Sequence, residues 1–241
     1  MTKYVLITRH PADCAALQRL LAPHGWGVRP YPVLRVEDMD DAEGWREANA
    51  LFEDWSDSLW LVMASPRAPE RFSHQATERG LDPMLSLPIA AIGEATAAAV
   101  ARAGMHVQLV GPGDAMGLAK DLMSYLDPQS PVVYVCGRDR RPELADALEA
   151  AGNRVLPLVV YQMRPTPPRE LPPLGPDLAA VALTSPRSAQ LYLESVGGRP
   201  LPLPHWALGP TTQYEAAGLG IVCQIPPKPT VESLAEELCR T

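Results

Sequence analysis

The sequence lacks any apolar run near the ~20 residues that a membrane-spanning helix requires, so we expect no contact with a membrane. No clustered basic run and no interleaving of basic and aromatic residues is recognisable in it. Together with a net charge of −7, this argues against nucleic acid as a partner. The first ten residues, MTKYVLITRH, resemble a buried strand rather than a basic leader, so we expect a cytoplasmic protein.

Cysteine is scarce, with 4 residues among 241, and no C-x-x-C or Cys/His ligand spacing occurs. Reduced structural thiols and no metal site are therefore expected. The sequence contains neither a G-x-G-x-x-G nor a G-x-x-x-x-G-K-[ST] nucleotide motif. Ser-His-Asp, Cys-His and paired-carboxylate constellations are not recognisable either, so any reaction must depend on binding geometry more than on a strong nucleophile.

What is present is a regular alternation of strand and helix patterns. KYVLIT (residues 3–8) and PVVYVC (residues 131–136) are continuous apolar runs, typical of strands that are buried on both faces. Each is followed by a helical pattern that ends at a glycine, Gly25 or Gly152, and by another strand pattern. These second strand patterns are WGVRPYPVLRV (residues 26–36) and NRVLPLVVYQM (residues 153–163). The alternation predicts α/β architecture with parallel sheets and helices on both faces.

The pattern occurs twice along the chain. Gly25 and Gly152 lie 127 positions apart, in a strand–helix–strand segment. In a second kind of segment, an apolar run is followed by Ser-Pro-Arg. This tripeptide begins at Ser65 and again at Ser185, 120 positions later. Gly93 and its counterpart 116 positions later open the next turn of each copy. We interpret the chain as an internal duplication.

The order of the segments permits two domain arrangements. Consecutive halves can each form a domain, or the middle segments can form one domain while the chain ends form the other. Both crossings, VLRVEDMDD (residues 33–41) and the proline-rich RPTPPRELPPLGP (residues 164–176), follow a strand–helix–strand segment. This placement favours the nested arrangement.

Polar turns follow several predicted strands, at the sheet edge where open α/β folds bind ligands. A serine N-cap followed by proline leaves backbone N–H groups at a helix N-terminus, which bind anions, and an adjacent arginine adds a bidentate carboxylate or phosphate site. The same turns also fit a purely structural role as helix caps. The turns are Thr8-Arg9, Ser65-Pro66-Arg67, Gly93 to Thr96, Gly137-Arg138, Ser185 to Arg187, and Gly209 to Thr212.

Tyr161, in LVVYQMRP, lies where a strand leads into the proline-rich crossing. A tyrosine in a strand usually serves packing, but this position can also place its hydroxyl in a ligand site. The five histidines have no partner at ligand spacing, and we interpret them as surface or core residues.

At these residues the sequence resembles the uroporphyrinogen-III synthase family, over nearly the whole chain. The resemblance depends on the ordered set VLITRHPADCAALQRLLAPHG, ASPRA, AIGEATAAAVARAG, VVY, LTSPRS, ALGPTT and PTVESLAEEL. It implies two flavodoxin-like domains joined by a two-stranded linker. The first domain would comprise residues 1–35 and 167–241, and the second residues 36–166.

The resemblance implies a lyase of tetrapyrrole (heme, siroheme or cobalamin) biosynthesis. Such an enzyme cyclises hydroxymethylbilane to uroporphyrinogen III with loss of water and inversion of the last ring, and it needs no cofactor. Tyr161 would assist departure of the hydroxyl. The residues that would bind the eight substrate carboxylates are Arg9, Ser65, Arg67, Gly93, Thr96, Arg138, Ser185, Gly209, Thr211 and Thr212.

Two other functions stay open at this point. One is a catalytically silent relative that binds a tetrapyrrole or another polyanion as a sensor or accessory domain. The other is a hinged small-molecule receptor, which the absence of a basic leader disfavours. We expect a monomer, because both copies of the duplication lie in one chain, and the labile substrate leaves open a transient contact with hydroxymethylbilane synthase.

Overall fold

The computed structural model describes residues 2–55, 57–127 and 129–240. Among them, no helix combines the length and the apolar character that crossing a bilayer requires. The chain divides into two compact units: unit 1 comprises Met1–Arg35 and Arg164–Thr241, and unit 2 comprises Val36–Met163. The domain limits given above stay a prediction.

The described elements are, in chain order, β1 (Lys3–Ile7), α1 (Ala15–Leu21), β2 (Trp26–Pro30), β3 (Leu34–Asp38), α2 (Ala42–Trp55), β4 (Trp60–Met63), α3 (Ala68–Glu78), β5 (Ile89–Ala91), α4 (Glu94–Arg102), β6 (Val107–Val110), α5 (Ala115–Leu122), β7 (Pro131–Gly137), α6 (Glu143–Ala150), β8 (Arg154–Pro165), β9 (Leu178–Leu183), α7 (Pro186–Ser195), β10 (His205–Ala207), α8 (Pro210–Gly218), β11 (Cys223–Gln224) and α9 (Val231–Arg240). Short 3₁₀ turns lie at Pro11–Asp13, Ala22–His24, Asp82–Ser86 and Pro168–Glu170.

Each unit contains its own sheet. The strand order is β11-β10-β9-β1-β2 in unit 1 and β3-β8-β7-β4-β5-β6 in the other sheet. Without β3, the two strand orders are identical. In this match β1 and β2 correspond to β7 and β8, and β9, β10 and β11 correspond to β4, β5 and β6. This order is that of the flavodoxin-like fold. The predicted fold class, α/β with two parallel sheets, is confirmed.

The pairing register confirms that the units are copies of one another. Val5 pairs with Val28, and Val132 with Val155, so the offset of 127 holds on both strands of the pair. The offsets of 120 and 116 also hold for the remaining neighbours. The matched pairs are Leu6–Val181 with Val133–Leu61, Val181–His205 with Leu61–Ile89, and His205–Cys223 with Ile89–Val107.

Strand residues of unit 2 alternate between two cores, which explains the continuous apolar runs. Leu61 and Met63 pack with α2, α3 and α4 on one face of the sheet. Trp60 and Val62 pack with α5 and α6 on the other face. Since every side chain of β4 enters one core or the other, this strand carries no polar residue.

A buried hydrogen-bond network in unit 1 fixes the tautomer of His205. Its Nδ1 lies 2.8 Å from the carbonyl oxygen of Leu203, and its Nε2 lies 2.9 Å from the hydroxyl of Tyr192. The carbonyl only accepts, so Nδ1 carries the proton and Nε2 accepts from Tyr192. The Tyr192 hydroxyl in turn accepts from the amide of Leu201 at 3.1 Å. Burial lowers the pKa of His205 below its ordinary value of 6.5.

This lowered pKa predicts a loss of stability in acid. As pH falls below 6.5, the unfolded chain binds a proton at His205 before the folded chain does, so the free energy of unfolding decreases. Compared with His205→Gln, the wild type should lose up to about 1.4 kcal/mol per pH unit in that window. Urea unfolding at pH 7.5, 6.5 and 5.5 measures the difference. Parallel pH profiles for the two proteins would refute the assignment.

Candidate active site

A cavity of about 470 Å³ opens in unit 2 at the carboxyl ends of β4 and β7. These strands are neighbours, but α3 follows β4 on one face of the sheet and α6 follows β7 on the other face. The two connections therefore separate, and open α/β sheets bind ligands in the crevice formed in this way. We call this cavity the switch-point pocket. Its lining includes Ser65, residues 113–116, residues 134–141 and Tyr161.

Tyr161 lies on β8 beside the last residue of β7, with which it pairs. It is only 9% exposed, yet it lines the pocket. Among the described residues, no hydrogen bond holds its hydroxyl. The β8 strand continues to Pro165, so Tyr161 lies inside a strand rather than at its end. Its hydroxyl is thus a proton donor placed at an apolar wall of the pocket.

Three arginines line one side of the pocket, in the loop that leads from β7 to α6. They are Arg138, Arg140 and Arg141, and all are exposed. The backbone N–H of Arg138 donates to the carbonyl oxygen of Tyr161 at 2.9 Å, which ties the start of this loop to β8. Guanidinium groups bind carboxylates through paired hydrogen bonds. The loop therefore supplies several anion-binding groups within one short segment.

The pocket also contains acidic side chains, namely Asp114, Asp139 and Glu143. Its formal charge is therefore balanced, within a chain of net charge −7. Asp114 caps α5, since its Oδ1 accepts from the backbone N–H of Gly117 at 2.8 Å. That carboxylate is engaged with a helix N-terminus, whereas the arginines extend from a loop. Among the described residues, no group of His, Cys, Asp or Glu is arranged to hold a metal ion.

Two protonated groups form the inner wall of the pocket. The pKa of Tyr134 is raised to about 12, mainly by burial and to a smaller extent by the nearby Cys136 and Tyr161. Burial also raises the pKa of Cys136 to about 12, although the Arg140 guanidinium opposes this by its charge and a hydrogen bond. Both groups stay neutral at physiological pH. Cys136 is consequently a poor nucleophile, and Tyr134 is a neutral hydrogen-bond donor.

The corresponding edge of unit 1 is filled by hydroxyl groups. Thr8, Thr184, Ser185 and Ser188 form a hydroxyl cluster at the ends of β1 and β9. The Thr8 and Ser188 hydroxyl oxygens lie 3.1 Å apart, and the Thr184 amide donates to Thr8 Oγ1 at 3.1 Å. Ser185 caps α7, accepting from the Ser188 amide at 3.1 Å, while Ser188 Oγ accepts from the Ser185 amide at 2.9 Å. The hydroxyl groups at this edge thus bond to one another and to the backbone at the ends of β1 and β9.

The predicted N-cap role of Ser65 is wrong. Helix α3 begins at Ala68, and Arg67 occupies the cap position. The Ser65 hydroxyl instead accepts from the Arg67 amide at 3.3 Å within a turn. At the repeat offset of 120, Ser188 corresponds to Ala68. Ala68 has no hydroxyl, so it cannot form the bond that Ser188 makes back to the amide of its cap residue. The two Ser-Pro-Arg corners therefore have different local structures.

Two of the predicted substrate-binding threonines are buried. Thr96 and Thr212 each occupy the third position of a helix, α4 and α8, and are only 1% and 5% exposed. The third helical position here faces the sheet rather than the solvent. Thr211, one residue earlier in α8, is exposed, and Gly209 is the cap residue of that helix.

The switch-point pocket therefore brings together only some of the predicted site residues. Three lie in its lining: Ser65, Arg138 and Tyr161. Gly93 caps α4, and a side-chain carbon there would lie 3.2 Å from Gly113 Cα, at the pocket edge. The residues outside its lining are Arg67 and Thr96 in unit 2 and Arg9, Ser185, Gly209, Thr211 and Thr212 in unit 1.

Sequence reasoning missed Arg140, Arg141 and Tyr134. Residues 138–141 read RDRR and form a short basic cluster. The prediction that the chain has no clustered basic run was therefore wrong. A usable signal existed, because this run directly follows a predicted buried strand and therefore had to lie at the ligand-binding edge of a sheet. Tyr134 gave no comparable signal, since a tyrosine within an apolar strand indicates packing.

Comparison with known proteins assigns the family. A model of the family described as Uroporphyrinogen-III synthase HemD matches residues 15–236. A search of curated proteins gave no significant match. The solved uroporphyrinogen-III synthetase from Helicobacter pylori 26695 is 17% identical, with 100% of this chain and 99% of that chain covered and a TM-score of 0.64.

A second solved structure has a similar fold. It is a mutant uroporphyrinogen III synthase from the extremely thermophilic bacterium Thermus thermophilus, 20% identical, with 99% of this chain and 98% of that chain covered and a TM-score of 0.57. At such identities the two structures support the fold, whereas the family model matches most of the sequence itself. This chain therefore belongs to the uroporphyrinogen-III synthase family.

Proposed function

We propose that this chain performs the reaction of its family at the switch-point pocket of unit 2. As a uroporphyrinogen-III synthase it is a lyase: it cyclises hydroxymethylbilane to uroporphyrinogen III, with loss of water and inversion of the last ring. The single observation that supports this location is that Tyr161 and three arginines line one cavity. A proton donor and carboxylate-binding groups are the two things that this reaction demands of a protein.

Binding is the first demand, because the substrate carries eight carboxylates on a flexible chain. We assign carboxylate binding in unit 2 to Arg138, Arg140 and Arg141. A cavity of about 470 Å³ accepts only part of a four-ring substrate, so the pocket holds one end of it. Holding that end fixes the approach of the reacting carbons, which lowers the entropic part of the barrier.

Departure of the terminal hydroxyl is the second demand. In this proposal the Tyr161 hydroxyl donates its proton to the leaving oxygen, the C–O bond breaks, and water departs. Loss of the pyrrole N–H proton then gives the neutral electrophilic azafulvene, and the released proton restores the Tyr161 hydroxyl. The neutral Tyr134 and Cys136 nearby add no negative charge that would compete for this proton. The far pyrrole then attacks, and the resulting spiro intermediate opens and recloses with one ring reversed.

The same chemistry gives the test of the proposal. Purified chain is supplied with hydroxymethylbilane, and the products are resolved by chromatography as isomers I and III. We expect isomer III in excess over the isomer I that forms by unassisted closure. Isomer I alone, at the rate found without protein, would overturn the proposal and leave the polyanion-binding alternative, which family membership does not favour.

The proposal also includes the cellular location of this chain and one protein partner. Cys14, Cys136 and Cys223 are free and buried, the form that cysteines keep in a reducing compartment, which supports a cytoplasmic location. The lability of the hydroxymethyl group supports a transient contact with hydroxymethylbilane synthase, the source of the substrate. The monomeric state and the substrate-binding roles of the predicted residues outside the pocket stay predictions.

A further inference from the structure

The pairing of β7 with β8 is interrupted beside the pocket. Cys136 pairs with Val159, but the next residue, Gly137, pairs with Tyr161, so Val160 is an extra residue on β8. Such a β-bulge places two consecutive side chains on one side of the sheet, and bulges beside active sites re-aim side chains. Val160 and Tyr161 accordingly belong to the same core cluster. The bulge thus determines the direction of the Tyr161 ring.

Gly137 provides the space into which this ring fits. A side-chain carbon at Gly137 would lie 2.6 Å from Tyr161 Cζ, 2.7 Å from Cε2 and 3.0 Å from the hydroxyl oxygen. All three nearest atoms belong to Tyr161, so even a methyl group would displace the ring. Any residue can adopt the backbone conformation of Gly137, so the requirement for glycine comes from space alone.

We propose that Gly137 is a positioning residue for the reaction: together with the bulge at Val160, it holds the Tyr161 hydroxyl at the point where the leaving oxygen departs. This rests on the proposed catalytic role of Tyr161. A displacement of about 1 Å at a reacting group costs up to roughly a hundredfold in rate. The absence of a side chain at Gly137 therefore contributes to turnover without any contact with the substrate.

The test is Gly137→Ala, assayed with hydroxymethylbilane and normalised to the folded fraction. We expect kcat to fall by about tenfold or more, because the hydroxyl is displaced, and KM to change by less than about threefold. In the Tyr161→Phe background the same substitution should lower kcat no further, since no hydroxyl remains to be displaced. A purely structural role would reduce activity equally in both backgrounds.

Gly27→Ala is the matched control. Gly27 pairs with Tyr4 between β1 and β2, and a side-chain carbon there would meet the Tyr4 ring at Cε1. This control repeats the same steric conflict, between a strand glycine and a tyrosine on the paired strand, away from the pocket. We expect it to lower stability while kcat per folded molecule stays at the wild-type value.

The outcomes separate this inference from the proposed function. If Tyr161→Phe lowers kcat but Gly137→Ala does not, the positioning role fails and the proposed function stands. If Tyr161→Phe keeps full activity, the proposed role of Tyr161 fails and this inference fails with it. Should Gly137→Ala not fold, adding Tyr161→Leu should restore folding by removing the ring, and failure of that rescue would also overturn the inference.

Discussion

Tyr161→Phe should lower kcat by about a hundredfold, the lower end of what a positioned general acid contributes. The phenyl ring keeps the packing against Gly137 and removes only the hydroxyl. Since no hydrogen bond within the described residues holds that hydroxyl, the free energy of unfolding should change by less than about 1 kcal/mol. Turnover of saturating hydroxymethylbilane and urea unfolding measure the two quantities separately.

Tyr125→Phe is the control for this substitution. Tyr125 also belongs to unit 2, is 53% exposed, packs against Trp60 and lies outside the pocket lining. Tyr125→Phe also removes one tyrosine hydroxyl, and it should leave kcat unchanged. A Tyr161→Phe enzyme with kcat within twofold of wild type would remove Tyr161 from the mechanism.

Arg138→Gln and Arg140→Gln should each raise KM by about tenfold, and together by about a hundredfold. A hydrogen bond to a charged group contributes about 1.5–3 kcal/mol, and solvent exposure of these side chains points to the lower end of that range. The carboxylates of the substrate do not react, so the bonds persist from the bound substrate to the transition state and kcat should change little. Initial rates over a range of hydroxymethylbilane concentrations separate the two constants.

Arg102→Gln is the charge-matched control. Arg102 is an exposed residue of α4 and lies outside the pocket lining. If this substitution raises KM as much as the pocket substitutions do, the effect comes from overall charge rather than from the pocket. Raising the salt concentration should weaken binding to the wild type more than to the double pocket variant.

Much of the fold followed from the sequence because the repeat offsets constrain pairing as well as composition. Since Val28 and Val155 lie 127 positions apart, as Val5 and Val132 do, the pairing of Val5 with Val28 in one unit recurs as that of Val132 with Val155 in the other. The start of a helix could be predicted where an N-cap side chain determines it. At Asp114 and Thr230 the side chain accepts a hydrogen bond from the backbone amide three residues later.

Other features depend on contacts that no local pattern reveals. The segment from Trp26 to Val36 was predicted as one strand, but β2 ends at Pro30 and a separate β3 begins at Leu34. The two Ser-Pro-Arg corners differ because of one hydroxyl, that of Ser188.

The arrangement around Tyr161 is likewise a tertiary feature. The bulge at Val160 and the space at Gly137 exist only in the pairing between two strands. The sequence placed Tyr161 in a strand but had no means to predict the direction of its side chain. For Arg140, by contrast, the sequence was sufficient to predict its position after β7. Only its hydrogen bond with Cys136 could not be predicted.

The most direct measurement is a crystal structure of the chain with uroporphyrinogen III. We expect ring density in the switch-point pocket, with carboxylates bonded to Arg138 or Arg140 and the Tyr161 hydroxyl facing a ring carbon. Product bound elsewhere, with the pocket filled only by solvent, would contradict this expectation.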